Sequence, residues 1–387
     1  MSFLEDLPKP FFVLAPMDDV TDTVFRQIVA DLAKPDLFFT EFLNVDGLQS
    51  AGREHLLHKL KLTQKEKPII GQLWGLNPEN FYKTVREIVD GTLVAEANEL
   101  RAKDRDAMQG RSEARSETYN NVRRVSTGDS DTAVRSKHVG MPGFAGKQAN
   151  AVFSFAGVDL NMGCPVKTVI KNGACAALIN NRSLAAEIID ATKEAAGASL
   201  PVSVKTRVGF TTVDMTWIEF LLSKILNMLS IHGRTAKQLS KVPADWELIG
   251  QAVPLRDSLS PSTLIVGNGD ILSRKQGEDL AVKYNLDGIM AGRGIFQDPF
   301  LFSNNSPWKE WSKEQKLNLF AKHIELYMKT YLKKERRFEA LRKFCKVYIN
   351  GFEGAAELRA DFMRTSNSKE ALELLYKKIG SRYDRRY

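Results

Sequence analysis

Cysteine is scarce in this sequence, and long apolar runs are missing from it. The 387-residue chain has 3 cysteines, at the widely spaced positions Cys164, Cys175 and Cys345, which argues against a disulfide framework or a zinc site. No apolar run is long enough to span a bilayer. The N-terminus also lacks the basic start and apolar centre of a signal peptide. We therefore expect a cytoplasmic protein in a reducing compartment, with no metal and no membrane association.

The positive charge of the chain is concentrated near its C-terminus. Residues 306–387 contain 12 Lys and 8 Arg against 11 acidic residues, a net charge of +9, whereas the whole chain carries +8. Such a basic segment fits a polyanionic partner, although a solvated helical face has the same composition. Apolar residues make up 43% of the chain and charged residues 26%, as in globular proteins with a sizeable core.

Short apolar runs alternate with segments of helical periodicity along the chain. The predicted strands lie at 11–15, 36–41, 68–73, 157–161, 201–205, 228–232, 263–268 and 288–291. The predicted helices lie at 22–32, 77–90, 183–196, 216–226, 245–252 and 273–284, with a less distinct one near 50–60. This alternation predicts a (β/α)8 TIM barrel. A doubly wound open sheet is the structural alternative.

Polar residues and glycines gather at the C-terminal ends of these strands. In a closed barrel those ends share one mouth, where barrel enzymes carry their catalytic groups. The residues concerned are Pro16, Met17, Gln72, Asn161, Cys164, Lys205, His232, Asn268, Gly269, Asp270, Gly292 and Arg293. Each alone has an ordinary structural explanation. Together they indicate a site for a phosphorylated, planar, redox-active ligand, because the last two turns are rich in glycine and Arg293 adds a positive charge.

The run Asn161-Met-Gly-Cys164-Pro165 is the most specific of these features. It places a cysteine on a sharp turn at the tip of a buried strand, facing whatever lies above the sheet. A small core residue is the competing interpretation of Cys164.

These runs, taken in order, resemble the tRNA-dihydrouridine synthases. The similarity covers residues 11–90 and 155 to about 380, and its most specific parts are 158–165 and 231–235. It implies an FMN-bound barrel that is reduced by NADPH and that reduces the C5–C6 bond of uridine in tRNA. By matching position, Cys164 would be the general acid. Asn161, one turn before Cys164, would orient the base or the flavin.

The same resemblance assigns the cofactor contacts. Pro16, Met17 and Gln72 would contact the isoalloxazine ring, and Lys205 and His232 would hold it. The ribityl phosphate end would bind Asn268, Gly269, Asp270, Gly292 and Arg293. Asp18, beside Met17, is included among the cofactor-binding residues.

The C-terminal segment fits a small, basic, all-helical domain that grips tRNA. We expect an FMN-binding barrel over 1–305 and this helical domain over 306–387. Ser312 with Gln315 predicts a capping box for the first of its helices, and Asn367 with Glu370 caps the last. A helix at about 337–350 would present Arg342, Lys343 and Lys346 to the phosphates of the RNA.

Three segments depart from the family pattern. Residues 91–150 form a polar insert, which we expect to be largely disordered and to lie at the end of the barrel opposite the mouth. Cys175 or Ala174 stands where the family has a second glycine, and we interpret Cys175 as a packing residue. The run Lys224-Ile-Leu-Asn-Met lacks the usual helix-ending glycine.

Two other functions remain open at this point. The first is an FMN-dependent dehydrogenase of a free pyrimidine, which would share the phosphate corner and the cysteine but needs no basic helical domain. The second is a non-catalytic tRNA-binding protein on a degenerate barrel, against which the presence of Cys164, Lys205 and Arg293 argues.

Overall fold

The computed structural model describes residues 3–97, 99, 155–331 and 335–380, and its centre is a closed parallel barrel. The strands are β1 (Phe11–Leu14), β2 (Phe38–Phe39), β3 (Leu43–Asn44), β4 (Ile69–Trp74), β5 (Gly157–Met162), β6 (Val202–Arg207), β7 (Met228–His232), β8 (Leu264–Asn268) and β9 (Gly288–Ala291). They form one sheet in the order β1-β9-β8-β7-β6-β5-β4-β2, and the short β3 pairs with the end of β4.

The sheet closes between β1 and the segment that precedes β2. Val13 and Leu37 form a parallel bridge, in which Leu37 N donates to Phe12 O and Leu14 N donates to Leu37 O, both over 3.1 Å. The predicted TIM barrel is therefore confirmed, and the open doubly wound sheet is wrong.

Helices link successive strands and cover the outside of the barrel. They are Thr23–Ala33, Val45–Leu48, Pro78–Val89, Lys167–Lys171, Arg182–Ala196, Met215–Ser223, Trp246–Gly250, Ala252–Leu259 and Arg274–Tyr284. The helix expected near 50–60 is instead two short 3-10 turns, Arg53–His55 and Leu57–Leu60. Leu57 and Leu60 are buried three residues apart, the spacing at which a 3-10 turn aligns its side chains.

Alternation along the strands sorts residues into two environments. Phe11, Val13, Val266 and Met290 belong to a cluster inside the barrel, whereas Phe12 and Leu14 pack outward with the helices. Because successive strand residues face opposite sides, the inward positions nearer the mouth hold polar side chains. These are Gln72, Asp159, Asn161, Ser203 and Lys205. The barrel is thus apolar at its base and polar at its mouth.

A helical region follows the barrel and packs against it. Its helices are Lys313–Thr330, Cys345–Tyr348, Ala355–Arg364 and Ser368–Ile379, with a 3-10 helix at Phe338–Phe344. The Ser312–Gln315 capping box and the Asn367 cap are confirmed. The single helix expected at 337–350 is wrong, because Leu341 and Phe344 are buried at the three-residue spacing of a 3-10 helix.

The helical region is joined to the barrel by buried contacts. The ring of Phe25 lies 5.0 Å from that of Phe344, and Arg336 donates to both carboxylate oxygens of Glu41 over 2.9 and 3.1 Å. The division into two domains at residue 305 stays a prediction. In the described residues no helix is both long and apolar enough to cross a membrane.

Most of the predicted insert, and the disorder expected in it, lies outside the described residues. Positions 92–97 are helical, and Leu93, Val94 and Ala97 are buried in the outer core, so the chain still packs against the barrel there. Phe155 is the first described residue beyond it and leads into the N-terminal end of β5. The chain therefore returns at the end of the barrel opposite the mouth, as expected.

Candidate active site

A cavity of about 780 Å³ opens at the C-terminal ends of the strands. Twelve predicted site residues line it, namely Pro16, Met17, Gln72, Asn161, Cys164, Lys205, His232, Asn268, Gly269, Asp270, Gly292 and Arg293. Asp18 is not among its lining residues; its carboxylate is 49% exposed and pairs with Lys59 over 2.6 Å. The structure thus brings the predicted mouth residues together in one cavity, except for Asp18, which lies outside the cavity lining.

The turn that carries Cys164 is held by the side chain of Asn161. Asn161 Oδ1 accepts hydrogen bonds from Gly163 N over 3.2 Å and from Cys164 N over 3.0 Å. Gly163 lies against β6, where an added Cβ would be 3.2 Å from the Thr206 backbone, and its carbonyl accepts from Arg207 Nε over 2.8 Å. Cys164 is thereby fixed at the cavity wall.

A chain of buried polar groups extends from this turn into the barrel. Asn161 Nδ2 donates to Gln72 Oε1 over 3.0 Å, and Gln72 Nε2 donates to Asp159 Oδ2 over 2.7 Å. Ser203 Oγ donates to the other oxygen, Asp159 Oδ1, over 2.6 Å. Burial raises the pKa of Asp159 to about 6, against the hydrogen bonds from Ser203 and Gln72. We call Asp159, Gln72 and Asn161 the amide relay.

Lys205 and His232 form the cationic side of the cavity. Lys205 Nζ donates to Asn268 Oδ1 over 3.1 Å, and burial lowers the pKa of Lys205 to about 8. Burial and the nearby cations Arg207 and Lys205 hold the pKa of His232 well below its ordinary value. The His232 ring is therefore neutral near pH 7, and its Nε2 accepts from Arg234 Nη1 over 3.2 Å.

The two glycine-rich turns form a corner with little room for side chains. At Gly269, with φ of 137°, an added Cβ would lie 2.4 Å from Ala244 Cβ. At Gly294 it would lie 2.0 Å from Ile271 O. Asp270 accepts from Arg234 and from Arg293 over 3.4 Å, while the Arg293 side chain is 60% exposed. In this corner a ligand can come close to the backbone N–H groups, and Arg293 supplies an accessible positive charge. Both features suit a phosphate.

The groups around Cys164 lower its pKa and prepare it for proton transfer. The pKa of Cys164 is lowered to about 7, first by a hydrogen bond from Cys175 and further by Val166 N and the charge of Arg207, against burial. An acid whose pKa lies near the operating pH transfers protons efficiently.

Sequence reasoning missed four residues of this site. Arg207 and Arg234 line the cavity, Asp159 ends the amide relay, and Cys175, expected to be a packing residue, is buried beside Cys164. Arg207 is the last residue of β6, two positions after Lys205, and Asp159 lies in β5, two positions before Asn161. Because alternate strand residues share a face, the strand pattern could have identified both.

An acidic group lies near the mouth. Ligand atoms of Asp18, Asp19 and Glu41 fall within 4.8 Å of one another. Cations already face this group, because Arg336 pairs with Glu41, Lys343 pairs with Asp19 over 3.1 Å, and Lys59 pairs with Asp18. The arrangement is a salt-bridge network between the barrel and the helical region.

The three predicted RNA-binding residues differ in their surroundings. Arg342 is partly buried and donates to Thr365 O over 3.0 Å, so it joins segments of the helical region. Lys343 is exposed and pairs with Asp19 of the barrel. Lys346 is also exposed. Binding of RNA by these residues stays a prediction.

Comparisons with known proteins agree with this geometry. The family model "Dihydrouridine synthase (Dus)" matches residues 13–96 and 141–383, and the intervening unmatched residues lie within the predicted insert. A probable tRNA-dihydrouridine synthase of Staphylococcus aureus (strain COL) is 37% identical over 377 residues, covering 97% of this chain and 94% of that protein. Probable tRNA-dihydrouridine synthase 2 of Bacillus subtilis (strain 168) is 38% identical, covering 97% and 95%.

Solved structures show a more distant likeness. The histamine dehydrogenase of Rhizobium sp. 4-9 aligns with a TM-score of 0.46 at 14% identity, covering 81% of this chain and 48% of that chain. A likeness of this size adds nothing to the assignment, which depends on the sequence matches. Those matches include the residues that line the cavity, and on them the chain belongs to the dihydrouridine synthase family.

Proposed function

We propose that this protein is a flavin-dependent enzyme that reduces the C5–C6 bond of uridine in tRNA, with FMN as cofactor and NADPH as reductant. The observation that carries the proposal is the position of Cys164, on a fixed turn in the same cavity as Lys205, His232 and the glycine-rich corner. Membership of the dihydrouridine synthase family supports the same reaction.

The residues of the cavity fit FMN. The corner excludes side chains at Gly269 and Gly294 and would let backbone N–H groups approach the phosphate, with Arg293 as the accessible cation. Lys205 and His232 would hold the ring, and Pro16, Met17 and Gln72 would line its other edges. When bound, FMN supplies the hydride, which it receives from NADPH.

Cys164 is the proton donor in this proposal. A hydride added at C6 of the uracil leaves negative charge that must be quenched by a proton at C5, and the Cys164 thiol supplies that proton. The thiolate that remains lies in the field of Arg207. Asn161 fixes the Cys164 backbone through Oδ1 while its Nδ2 is held by Gln72. The target base must leave its stack to enter the cavity.

The tRNA would bind across the mouth of the barrel and the helical region. Lys343 and Lys346 lie in the segment that follows the contact between Arg336 and Glu41, so cations of the helical region are held beside the barrel end that carries the cavity. Contacts of this kind read phosphate positions and the shape of the RNA, and they weaken as salt rises.

The test begins with the visible spectrum of the purified protein. We expect a flavin spectrum that bleaches with NADPH and is restored, without oxygen, by unmodified tRNA. Restoration by a free pyrimidine and not by tRNA would contradict the proposal and support a small-molecule dehydrogenase. A colourless protein that still binds tRNA would support a non-catalytic role.

A further inference from the structure

Cys175 has an unusual backbone conformation. Its φ is 53°, in the left-handed region that favours glycine, where a residue with a Cβ is strained. It is also 1% exposed and begins the 3-10 helix Cys175–Asn180. Strained residues persist where the surrounding structure or the function requires them. Glycine would adopt this conformation at lower cost, and the residue that stands here instead carries a thiol.

The side chain of Cys175 meets the general acid. The Cys175 thiol is the largest influence on the pKa of Cys164, which it lowers. The backbone holds the two segments together as well, because Ala176 N donates to Cys164 O over 3.4 Å. Cys164 itself reaches the cavity wall, whereas Cys175 does not line the cavity. Cys175 thus supports Cys164 from behind.

We propose that Cys175 is a positioning residue for Cys164, whose S–H donates to Cys164 Sγ, directs the Cys164 proton toward the cavity and stabilises the thiolate that proton transfer leaves. The proposal depends on the proposed function, in which Cys164 loses its proton to C5 of the base and is later reprotonated from solvent. No electron leaves either sulfur, and Cys175 keeps its own proton throughout.

The electrostatic surroundings support this direction of donation. The groups that face Cys164 are Cys175, Asp18, Arg207 and Lys205. The pKa of Cys175 is raised well above its ordinary value, first by its bond to Cys164 and then by burial, so Cys175 stays a protonated donor. Arg207 favours the Cys164 thiolate, and Asp18 opposes it.

The first experiment measures the Cys164 thiol without tRNA. The alkylation rate of Cys164 by iodoacetamide is followed against pH by mass spectrometry, in the flavin-loaded enzyme and in Cys175→Ala, Cys175→Ser and Cys175→Gly. We expect the apparent pKa of Cys164 to rise by about one unit in the Ala and Gly variants and by less in Ser, whose hydroxyl still donates.

An unchanged alkylation profile in all three variants would overturn the proposal. Cys175→Gly keeps the experiment decisive if the others fold poorly, because glycine adopts the positive φ without strain. Since no RNA is reduced in this assay, its failure is distinct from a failure of the proposed function, which the reoxidation by tRNA reports.

The second experiment uses the pH dependence of reoxidation by tRNA. With a Brønsted coefficient of about 0.5, a weaker acid transfers its proton about threefold more slowly at low pH. Above both pKa values the Ala variant becomes about threefold faster, because more of it remains protonated. The two profiles therefore cross. A purely structural role would lower the rate by one factor at every pH, and that outcome would contradict the proposal.

Discussion

Gln72 and Asp159 are paired across neighbouring strands, and Gln72 Nε2 donates to Asp159 Oδ2 over 2.7 Å. The side-chain amide of glutamine has an NH2 donor and an oxygen acceptor. Because the Asp159 carboxylate binds the NH2 group of Gln72, the oxygen of Gln72 faces Asn161. Gln72 then offers its oxygen to Asn161 Nδ2, and Asn161 offers its oxygen to Cys164 N. One buried carboxylate thereby sets the orientation of two amides and of the turn that carries Cys164.

Replacement of Asp159 tests the amide relay. Asp159→Leu removes the acceptor for Gln72 and releases both amides, so we expect tRNA reduction to fall by about 10- to 100-fold. Asp159→Asn is the matched control. Its oxygen can still accept from Gln72, and its amide can donate to Ser203 Oγ, which then donates to Val158 O, 3.4 Å away. We expect its rate to stay within about threefold of wild type. Equal losses in both variants would contradict the relay.

The stability of the protein should depend on the ionisation of Asp159. Its pKa is raised from 3.8 to about 6, so ionisation opposes folding, and the cost grows as pH rises through this window. The cost is about 1.4 kcal/mol larger at pH 7.5 than at pH 5. Relative to Asp159→Asn, the wild type should therefore lose about this much free energy of unfolding between the two pH values. Urea titrations at both pH values measure it, and a constant difference would argue against the raised pKa.

Cys164→Ala separates the chemistry from cofactor binding. The Cys164 thiol is part of neither the glycine-rich phosphate corner nor the cationic side of the cavity formed by Lys205 and His232. We therefore expect the flavin spectrum and its bleaching by NADPH to be retained. Dihydrouridine formation should fall by about 100-fold or more, the usual contribution of a positioned general acid. Cys345→Ala, which removes a buried thiol remote from the cavity lining, is the control. Wild-type turnover in Cys164→Ala would exclude the acid role.

The sequence predicts the mouth of the barrel because strand ends can be recognised one at a time. Asn161, Lys205 and His232 each follow from a local apolar run and its polar end. The amide relay could not be found this way, because it depends on register. Asp159 faces Gln72 on β4 and Ser203 on β6 only after the strands pair.

The errors have local causes as well. The segment at 338–344 carries apolar residues at a spacing that a helix and a 3-10 helix share, and tertiary packing selects the 3-10 form. For the same reason Arg342 points toward Thr365 within the helical region. Composition alone reveals neither the positive φ of Cys175 nor the neighbouring thiol, so the sequence predicts only a packing role for it.

Replacing Ile225 with a residue that tolerates a positive φ should stabilise the protein. Ile225, two residues beyond the helix Met215–Ser223, has a φ of 51°, which strains a β-branched side chain. This side chain is 62% exposed. Ile225→Gly relieves about 1–2 kcal/mol of strain and loses about 0.5–1 kcal/mol through unfolded-state entropy. We expect a net gain of about 0.5–1 kcal/mol, and a similar gain for Ile225→Asn, which tolerates this conformation.

Thermal unfolding of the Ile225 variants measures this change in stability. Val282→Gly is the control, because Val282 is 79% exposed within the helix Arg274–Tyr284, where glycine lowers stability by up to about 0.5 kcal/mol. Opposite signs at the two positions are expected. A loss at both would mean that the left-handed conformation is not strained.

Lys346 is the cleanest position at which to test RNA binding. Arg342→Glu would break the contact with Thr365, and Lys343→Glu would place a carboxylate beside Asp19, so either change also disturbs the structure. Lys346→Glu changes an exposed charge. We expect tRNA affinity to fall by about three- to tenfold at moderate salt, because a phosphate contact is replaced by repulsion. The flavin content should not change.

The salt dependence distinguishes a phosphate contact from a general effect of charge. If Lys346 neutralises a phosphate, the slope of log affinity against log salt should decrease by about one in Lys346→Glu. Lys34→Glu makes the same change of charge at an exposed position directly after the helix Thr23–Ala33, and it should leave the slope unaltered. Equal effects of the two substitutions would show that tRNA responds to net charge, and the helical region would lose its assigned role as the specific RNA contact.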